Sequence, residues 1–356
     1  MNALQPPSLH AAMTPQLIRS GPAPNIAAMK AVYYERTGPA HEVLQFGELP
    51  DPLPREGEVR VRLLWSGVNP SDVKGRMGLR SKELPFPRIV PHSDGMGVID
   101  AVGAGVERGR IGERVWLWNA AWGRPWGTAA QFVALPAEQA VSLPASVPDE
   151  AGACFGIPAL TAMHAVLMAG GVQGKSVLVA GGAGAVGHYA VQFAKLLGAA
   201  RVIATVGSEA KAALAREAGA DLVVDYKRED VAARVLDATG RRGADRIIEV
   251  DIAANAALDA ACLRTGGEVV AYGSGQPRFS LDFGPLILKN LELRFFIVYN
   301  LDLEQRARAI KTLDKLLARG TIRHNVAQRL SLAEIARAHD MVGEGSAGGI
   351  VVLRVG

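Results

Sequence analysis

Hydrophobic and polar positions alternate in short runs between about residues 29 and 150. In EVRVRLL (58–64) every second residue is apolar at first, which predicts a strand buried on one face. Similar runs, separated by Gly and Pro, are AVYYE, GMGVIDAVGAGV, GERVWLWN and AAQFVALP. No long helical pattern competes with them, so this part of the chain is predicted to be mostly β-structure.

From about residue 155, strand-like runs alternate with helical patterns. SVLVA (176–180) is followed by apolar positions at helical spacing, and RVIATV, DLVVDY, DRIIEV and GEVVAYG continue the series. Strands that alternate with helices in this way predict a parallel sheet covered by helices. The chain is therefore predicted to be an α/β protein, and its 356 residues favour two domains.

Composition narrows the classes of function. The net charge is +4, from 39 basic and 35 acidic residues with no Lys/Arg block, so no nucleic-acid partner is expected. No apolar run approaches the roughly 20 residues of a membrane helix, so no membrane association is expected. Only two cysteines occur, which fits a reducing compartment and a cytoplasmic location. Residues 1–28 are rich in Pro and are predicted to form a disordered N-terminal extension. A transit segment and a true start at Met29 are the alternatives.

A glycine-rich loop carries the clearest chemical signal. GGAGAVG (181–187) follows a strand and opens a helical pattern, with glycines at Gly182, Gly184 and Gly187. The first glycine would permit the turn, the second would let backbone N–H groups approach a pyrophosphate, and the third would allow helix and strand to pack closely. With Ala185 and Val186 between them, these residues predict a dinucleotide site. A purely structural turn is the alternative.

The end of the second strand indicates which dinucleotide binds. NAD sites usually have a carboxylate there for the ribose 2′-hydroxyl, but residues 204–208 contain no acid. Ser208 offers a hydroxyl and Lys211 a cation for a 2′-phosphate, and Glu209 is interpreted as a partner of the helix dipole. NADPH is therefore predicted over NADH. Alternatively, Lys211 is a solvated helix residue.

Four motifs occur in an order that resembles a known family. GVNPSDVKGRMG (67–78), VPHSDGMGVIDAVGAGV (90–106), FGIPALTAMHAV (155–166) and the glycine loop resemble the zinc-free quinone oxidoreductases of the medium-chain dehydrogenase/reductase superfamily. The resemblance covers residues 29–356. It implies a GroES-like β-barrel catalytic domain (29–156), a doubly wound Rossmann NADPH domain (157–297) and a C-terminal return to the catalytic domain (298–356). It also implies an active site between the domains and a homodimer.

The positions that hold zinc in related alcohol dehydrogenases carry other residues here. The resemblance places Asn69, Ser93 and Ile157 there, and Asp94 alone cannot hold a tetrahedral zinc ion. No metal site is predicted. Without a Lewis acid the expected activity is zinc-independent, NADPH-dependent reduction of a quinone by hydride transfer. The alternatives are reduction of α,β-unsaturated ketones or aldehydes, and a non-catalytic NADPH-binding sensor or adaptor.

Two residues are predicted to be catalytic. The resemblance places the amide of Asn69 beside the nicotinamide, although a simple turn residue before Pro70 is the alternative. Lys74 takes the place of a tyrosine found in many quinone reductases, and related enone reductases also have lysine there. It could donate a hydrogen bond or a proton to a carbonyl, or it could be a surface lysine.

The resemblance also implies cofactor contacts outside the glycine loop. Thr161 would lie beside the nicotinamide and Tyr226 beside the adenosine phosphate. Gly273, Phe296 and Val298 would meet the nicotinamide ribose and carboxamide. Alternatively, Thr161 is a helix residue bonded to its own preceding turn, and Tyr226 is an exposed aromatic residue at a strand end. For Phe296 and Val298 the alternative is packing in the core.

Four of the five tryptophans fall within WLWNAAWGRPW (116–126). Alternation predicts that Trp116 and Trp118 pack in the β-domain. Trp122 and Trp126 lie in a Gly/Pro-rich loop and are the candidates for stacking on a planar substrate, with packing in the core of the β-domain as the alternative.

Overall fold

The structure, a computed structural model, describes residues 28–356. The predicted N-terminal extension lies outside the described residues, except for Ala28, which begins the first strand. Among the described residues the strands are β1 (Ala28–Tyr33), β2 (Gln45–Pro50), β3 (Glu58–Val68), β4 (Asp94–Val102), β5 (Arg114–Leu117), β6 (Phe132–Pro136), β7 (Ala140–Ser142), β8 (Ser176–Val179), β9 (Arg201–Val206), β10 (Leu222–Asp225), β11 (Ala244–Glu249), β12 (Leu263–Ala271), β13 (Glu292–Phe295), β14 (Val326–Ser331) and β15 (Ile350–Arg354).

Helices are concentrated in the second half of the chain, as the change of period predicts. They are α1 (Ala40–Val43), α2 (Pro70–Arg76), α3 (Asp149–Gly152), α4 (Leu160–Leu167), α5 (Ala185–Leu196), α6 (Glu209–Glu217), α7 (Val231–Ala238), α8 (Ile252–Cys262), α9 (Phe283–Leu288), α10 (Leu303–Leu317) and α11 (Ile335–Glu344).

The second half forms a six-stranded parallel sheet in the order β10-β9-β8-β11-β12-β13. This is the strand order of a doubly wound dinucleotide-binding fold, so the predicted fold class is confirmed. The chain leaves β8 in one direction across the sheet and β11 in the other. Such a reversal opens a crevice at the carboxyl ends of the two strands, which is where ligands bind in sheets of this kind.

The first half forms a seven-stranded sheet together with the end of the chain. Its order is β14-β15-β3-β4-β5-β7, and β6 pairs with β3. In the segment 298–356, β14 and β15 join this sheet, whereas α10 packs against α4, with Leu313 and Leu316 in one core with Leu160 and Met163. The same core includes Trp116 of β5 and therefore runs continuously between the two halves of the molecule.

A chain of buried, hydrogen-bonded side chains links α2 and α11 to β3. Arg76 Nε donates to His339 Nδ1 (3.2 Å), and His339 Nε2 lies 2.9 Å from His92 Nε2. His92 Nδ1 lies 2.8 Å from Ser66 Oγ, which in turn contacts Thr128 Oγ1 at 2.7 Å. Because a guanidinium can only donate, neutral His339 donates to His92 and neutral His92 donates to Ser66. Burial lowers the pKa of His92 to about 3 and that of His339 well below its ordinary value, which keeps both rings neutral.

Candidate functional site

A cleft of about 270 Å³ lies where the switch-point crevice faces α2. We call it the glycine-loop cleft. One side is formed by the loop after β8 and the ends of β9 and β10, and the other by the residues that begin α2. Its lining includes Asn69, Pro70, Ile157, Gly181, Gly184, Ala185, Val186, Gly187, Gly207, Lys211, Tyr226 and Tyr272. Six of the predicted cofactor or catalytic residues therefore share one cavity with Asn69.

The glycines of the loop are required by close backbone approaches. A Cβ added at Gly187 would lie 2.1 Å from the Gly181 carbonyl oxygen, and one at Gly182 would lie 2.5 Å from Ala204 Cβ. At Gly184 the nearest atom is the Gly181 oxygen at 3.2 Å, and this residue lines the cleft. The left-handed turn residue is Gly181 (φ 67°), not the predicted Gly182. Two adjacent glycines at 181 and 182 gave no signal to separate these roles.

The residues predicted to select the dinucleotide follow β9 and β10, and of these Lys211 and Tyr226 line the cleft whereas Ser208 does not. Ser208 is the N-cap of α6, where its Oγ accepts from the Lys211 backbone N–H (3.4 Å), and the Lys211 side chain lines the cleft. Tyr226 lies over Gly207, where an added Cβ would be 2.6 Å from the phenol oxygen. Gly207 was missed by sequence reasoning because it lies outside the glycine motif. Glu209 is in the first turn of α6 and pairs with Arg216 at 2.7 Å.

Asn69 is held in place at the opposite end of the cleft. Its side-chain amide donates to Asp94 Oδ2 (2.9 Å), and its backbone N–H donates to Asp72 Oδ2 (2.8 Å). Burial raises the pKa of Asp94 well above its usual range, against the hydrogen bond from Asn69, and so favours the neutral carboxyl group. Asp94 therefore acts as a fixed hydrogen-bonding partner for Asn69. Sequence reasoning considered Asp94 only as a metal ligand and missed this role.

The four residues predicted to lie around the nicotinamide, its ribose or its carboxamide divide into two groups. Gly273 and Phe296 line a shallow cavity that adjoins the glycine-loop cleft and shares Tyr272 with it. Thr161 and Val298 are buried, at 4% exposure each, and are not among the residues that line the cleft. The structure therefore does not bring these two side chains to the cleft surface.

A second cavity, of about 330 Å³, lies on the other side of the start of α2. We call it the Tyr299 cavity. Its lining includes Ser71, Asp72, His92, Ser93, Trp122 and Tyr299. Trp122 stacks on Tyr299 with ring centroids 4.3 Å apart. Trp126 instead lines a separate cavity beside Pro50 and Phe132, so the structure does not bring the two predicted substrate tryptophans together.

Two further predictions concern side chains near this cavity. Trp116 and Trp118 are buried, at 0% and 7% exposure, as the alternation predicts. Lys74 donates from Nζ to the Ser274 carbonyl oxygen (3.1 Å), a contact between α2 and the loop after β12. Lys74 is not among the residues that line the glycine-loop cleft or the Tyr299 cavity.

The donor set at the start of α2 does not suit zinc. Asn69, Ser93 and Ile157 offer no thiolate or imidazole. Within residues 28–356 no group of three or more His, Cys, Asp or Glu side chains is placed to hold a metal ion. In the same residues no helix is both long and apolar enough to cross a membrane.

Comparisons with known proteins match this arrangement. Residues 55–145 match the alcohol dehydrogenase GroES-like domain family, and residues 185–316 match the zinc-binding dehydrogenase family. The quinone oxidoreductase of Pseudomonas aeruginosa is 32% identical over 305 residues, which cover 84% of this chain and 91% of that protein.

Solved structures show the same fold. An NAD-dependent alcohol dehydrogenase superposes with a TM-score of 0.84 at 32% identity, covering 92% of this chain and 100% of that chain. A mycobacterial protein solved in complex with NADPH superposes with a TM-score of 0.80 at 29% identity, with the same coverage. These relatives are enzymes, so the interpretation as a non-catalytic sensor is not retained. The chain belongs to the quinone oxidoreductases of the medium-chain dehydrogenase/reductase superfamily and is an oxidoreductase that uses a nicotinamide cofactor.

Proposed function

We propose that this protein catalyses NADPH-dependent reduction of a quinone without a metal ion. The observation that carries the proposal is the position of α2 between two cavities. Asn69 and Pro70 line the glycine-loop cleft, and the next residues, Ser71 and Asp72, line the Tyr299 cavity. A cofactor held in the first cavity would therefore meet an acceptor held in the second at the start of α2. NADPH supplies the hydride when it is bound.

The preference for NADPH over NADH is supported by the adenosine end of the glycine-loop cleft. No carboxylate lies at residues 204–208 to accept from a ribose 2′-hydroxyl, whereas Lys211 lines the cleft and carries a positive charge. The nearest acid, Glu209, is paired with Arg216. A 2′-phosphate would thus meet a cation without a competing carboxylate.

A quinone is the proposed acceptor because it is already electrophilic. The residues at the start of α2 offer no zinc ligands to polarise a carbonyl or stabilise an alkoxide. Trp122 and Tyr299 also give the Tyr299 cavity a flat aromatic wall, which suits a planar ring. The relatives named quinone oxidoreductase support the same acceptor.

The test follows the absorbance of reduced nicotinamide with purified, chelator-treated protein. NADPH and NADH are each combined with a planar ortho-quinone or with a simple enone. We expect rapid NADPH oxidation with the quinone. Turnover with the enone alone would replace the quinone proposal with the alternative enone reductase activity. Lys74, at a position where related enone reductases also have lysine, favours that alternative.

Lys211→Ala tests the cofactor preference separately. Loss of one exposed charge contact to a phosphate should raise the KM for NADPH by roughly tenfold and leave the KM for NADH nearly unchanged. Lys315→Ala, at an exposed lysine of α10, is the matched control. Equal changes in both constants for Lys211→Ala would contradict a 2′-phosphate contact.

The homodimer implied by the resemblance remains a proposal. We propose that it forms along β13, the edge strand of the six-stranded sheet, where Phe295 is 56% exposed. The nearby Phe283 and Leu288 are also exposed, at 72% and 82%, and would be covered by a second copy. Light scattering should show a dimer for the parent protein and a monomer for Phe295→Glu.

A further inference from the structure

Five hydroxyl-bearing residues line the Tyr299 cavity, and the proposed function has used none of their hydroxyl groups: Tyr34, Ser71, Ser81, Ser93 and Tyr299. Ser71 is the second residue of α2, Ser93 immediately precedes β4, and Tyr299 follows β13 in a short 3₁₀ turn (Val298–Asn300). The hydroxyls of Ser71 and Tyr299 lie 2.9 Å apart. The two residues are 228 positions apart in sequence and join the two halves of the molecule at the cavity wall.

Tyr299 is held rigidly. Its ring is stacked against Trp122 at 4.3 Å with 15° between the ring planes. Its backbone carbonyl accepts from Asn119 Nδ2 (3.1 Å) and from Arg306 Nη2 (3.3 Å). Asn119 and Trp122 belong to the same loop, so one segment of the β-domain fixes both the backbone and the ring of Tyr299. The phenol oxygen is therefore preorganised at the cavity, as a proton donor in an active site must be.

Hydrogen-bond accounting shows what this pair of hydroxyls can do. Two hydroxyl groups carry two hydrogens, and the single bond between Ser71 and Tyr299 uses one of them. When Ser71 donates this bond, the phenolic hydrogen of Tyr299 is free for an acceptor in the cavity. Burial raises the pKa of Tyr299, so the phenol is protonated at neutral pH. Burial also raises the pKa of Asp72, which lines the same cavity, to about 7, against the opposing hydrogen bond from Asn69.

We propose that Tyr299 is the catalytic acid of the reaction, donating its phenolic proton to the carbonyl oxygen of a planar quinone or enone in the Tyr299 cavity. This inference rests on the proposed function. Bound NADPH would supply a hydride, that is, two electrons and one hydrogen, and the acceptor would become an anion with its charge on oxygen. The Tyr299 O–H bond then breaks as a new O–H bond forms on the product. Ser71 passes a replacement proton to the phenolate, and the proton comes ultimately from water.

Lys74, the sequence-predicted donor, is placed differently. Its ammonium group is bonded to the Ser274 carbonyl and does not line the Tyr299 cavity. Ser71 lies on the same helix, but its hydroxyl faces Tyr299. The geometry thus assigns proton donation to the phenol and leaves Lys74 as a contact between α2 and the loop after β12.

Tyr299→Phe tests the proposal because it removes the hydroxyl and keeps the ring on Trp122. With an electron-rich quinone, whose reduced anion needs a proton, kcat should fall by roughly 10²-fold, the usual size of general-acid catalysis. NADPH binding, measured by nicotinamide fluorescence, should not change. With an electron-poor quinone, whose reduced anion persists at pH 8, kcat should fall by only about threefold. A merely structural role would lower both rates alike.

Matched variants complete the experiment. Tyr33→Phe removes a hydroxyl from a tyrosine of β1 that does not line the Tyr299 cavity and should keep the parent rate. Ser71→Ala should lower kcat less than Tyr299→Phe, by roughly fivefold, because water can replace its hydroxyl as a proton source.

A parent-like rate for Tyr299→Phe with the electron-rich quinone would overturn the role of Tyr299 and leave the quinone reductase function standing. Parent protein that reduces only enones, with loss in Tyr299→Phe, would retain the role and overturn the quinone. Parent protein that reduces neither acceptor would overturn both.

Discussion

The glycine-loop cleft and the Tyr299 cavity lie on either side of the start of α2, but they are built from different parts of the chain. The first is shaped mainly by backbone: glycines of one loop leave space that a Cβ would fill. The second is shaped by side chains from distant segments, with Ser71, Trp122 and Tyr299 brought together only by the packing of the two sheets. The cofactor side should therefore be sensitive to added atoms, and the acceptor side to lost functional groups.

Adding one methyl group at Gly187 should have the largest effect. The new Cβ would lie 2.1 Å from the Gly181 carbonyl oxygen, a backbone atom that cannot move without opening the loop. Gly187→Ala should reduce the free energy of unfolding by about 3 kcal/mol and weaken NADPH binding at least as strongly. Denaturant unfolding and a fluorescence titration with NADPH measure the two effects.

Gly184→Ala is the matched control for this loop. Its Cβ would lie 3.2 Å from the same oxygen, so a shift of a few tenths of an ångström accommodates it. Stability should change by less than about 1 kcal/mol, whereas NADPH affinity should fall because Gly184 lines the cleft. Equal destabilisation by the two substitutions would show that the loop is not limited by the contact at Gly187.

Removing the side chain of Asn69 should have the next largest effect. Asn69→Ala should lower kcat by roughly 10²-fold, since it removes an orienting amide and leaves the buried Asp94 carboxyl unpaired. Asp94→Asn should retain activity within about threefold, because burial favours the neutral carboxyl group and an amide oxygen accepts the same bond. Loss of activity in Asp94→Asn would instead indicate that an ionised carboxylate is needed.

The difference between the two cavities also explains how far sequence reasoning reached. The fold class followed from the change of period near residue 155. Much of the glycine-loop cleft followed from one contiguous motif with local geometric rules. Even there, the left-handed position was assigned to Gly182, although Gly181 has φ 67°. Adjacent identical residues cannot be ordered by spacing alone.

The Tyr299 cavity could not be predicted from local sequence patterns. Tyr299 follows an edge strand and carries no motif, and its partner Ser71 is 228 residues away. Trp122 and Trp126 are only four positions apart in a Gly/Pro-rich loop, and such a loop has no period that would show which cavity each ring lines. Lys74 was predicted to face an acceptor, but its ammonium group donates to the Ser274 carbonyl oxygen. Local spacing does not show this contact because the two residues are 200 positions apart in sequence.

Lowering the pH should reduce the free energy of unfolding by an intermediate amount, through a histidine of the Tyr299 cavity. His92 lines that cavity and is neutral in the fold, with a pKa of about 3. The unfolded chain, with a pKa near 6.5, binds more protons between these values, so stability is complete above about pH 6.5 and falls as pH decreases. At pH 5 the loss is about 2 kcal/mol from His92 alone.

Denaturant unfolding at pH 8 and pH 5 checks this value. Asparagine tolerates the φ of 77° observed at His92. His92→Asn should therefore fold with a lower free energy of unfolding at every pH, and the loss between pH 8 and pH 5 should be smaller by about 2 kcal/mol. His41→Asn, at an exposed histidine, should leave the profile of the parent. An unchanged slope in His92→Asn would exclude His92 as the source of acid sensitivity.

The smallest expected effect is a change in the KM for a planar quinone, and it should differ between the two exposed tryptophans of the loop. Trp122→Leu removes the ring stacked on Tyr299 and should raise the KM for a planar quinone by roughly fivefold, about the value of one aromatic contact. Trp126→Leu removes an equally exposed ring, 43% against 41%, from a different cavity and should leave that KM unchanged. Equal increases in both variants would indicate that the acceptor reaches beyond the Tyr299 cavity. A change in kcat alone for Trp122→Leu would mean that the ring positions the Tyr299 hydroxyl and does not bind the acceptor.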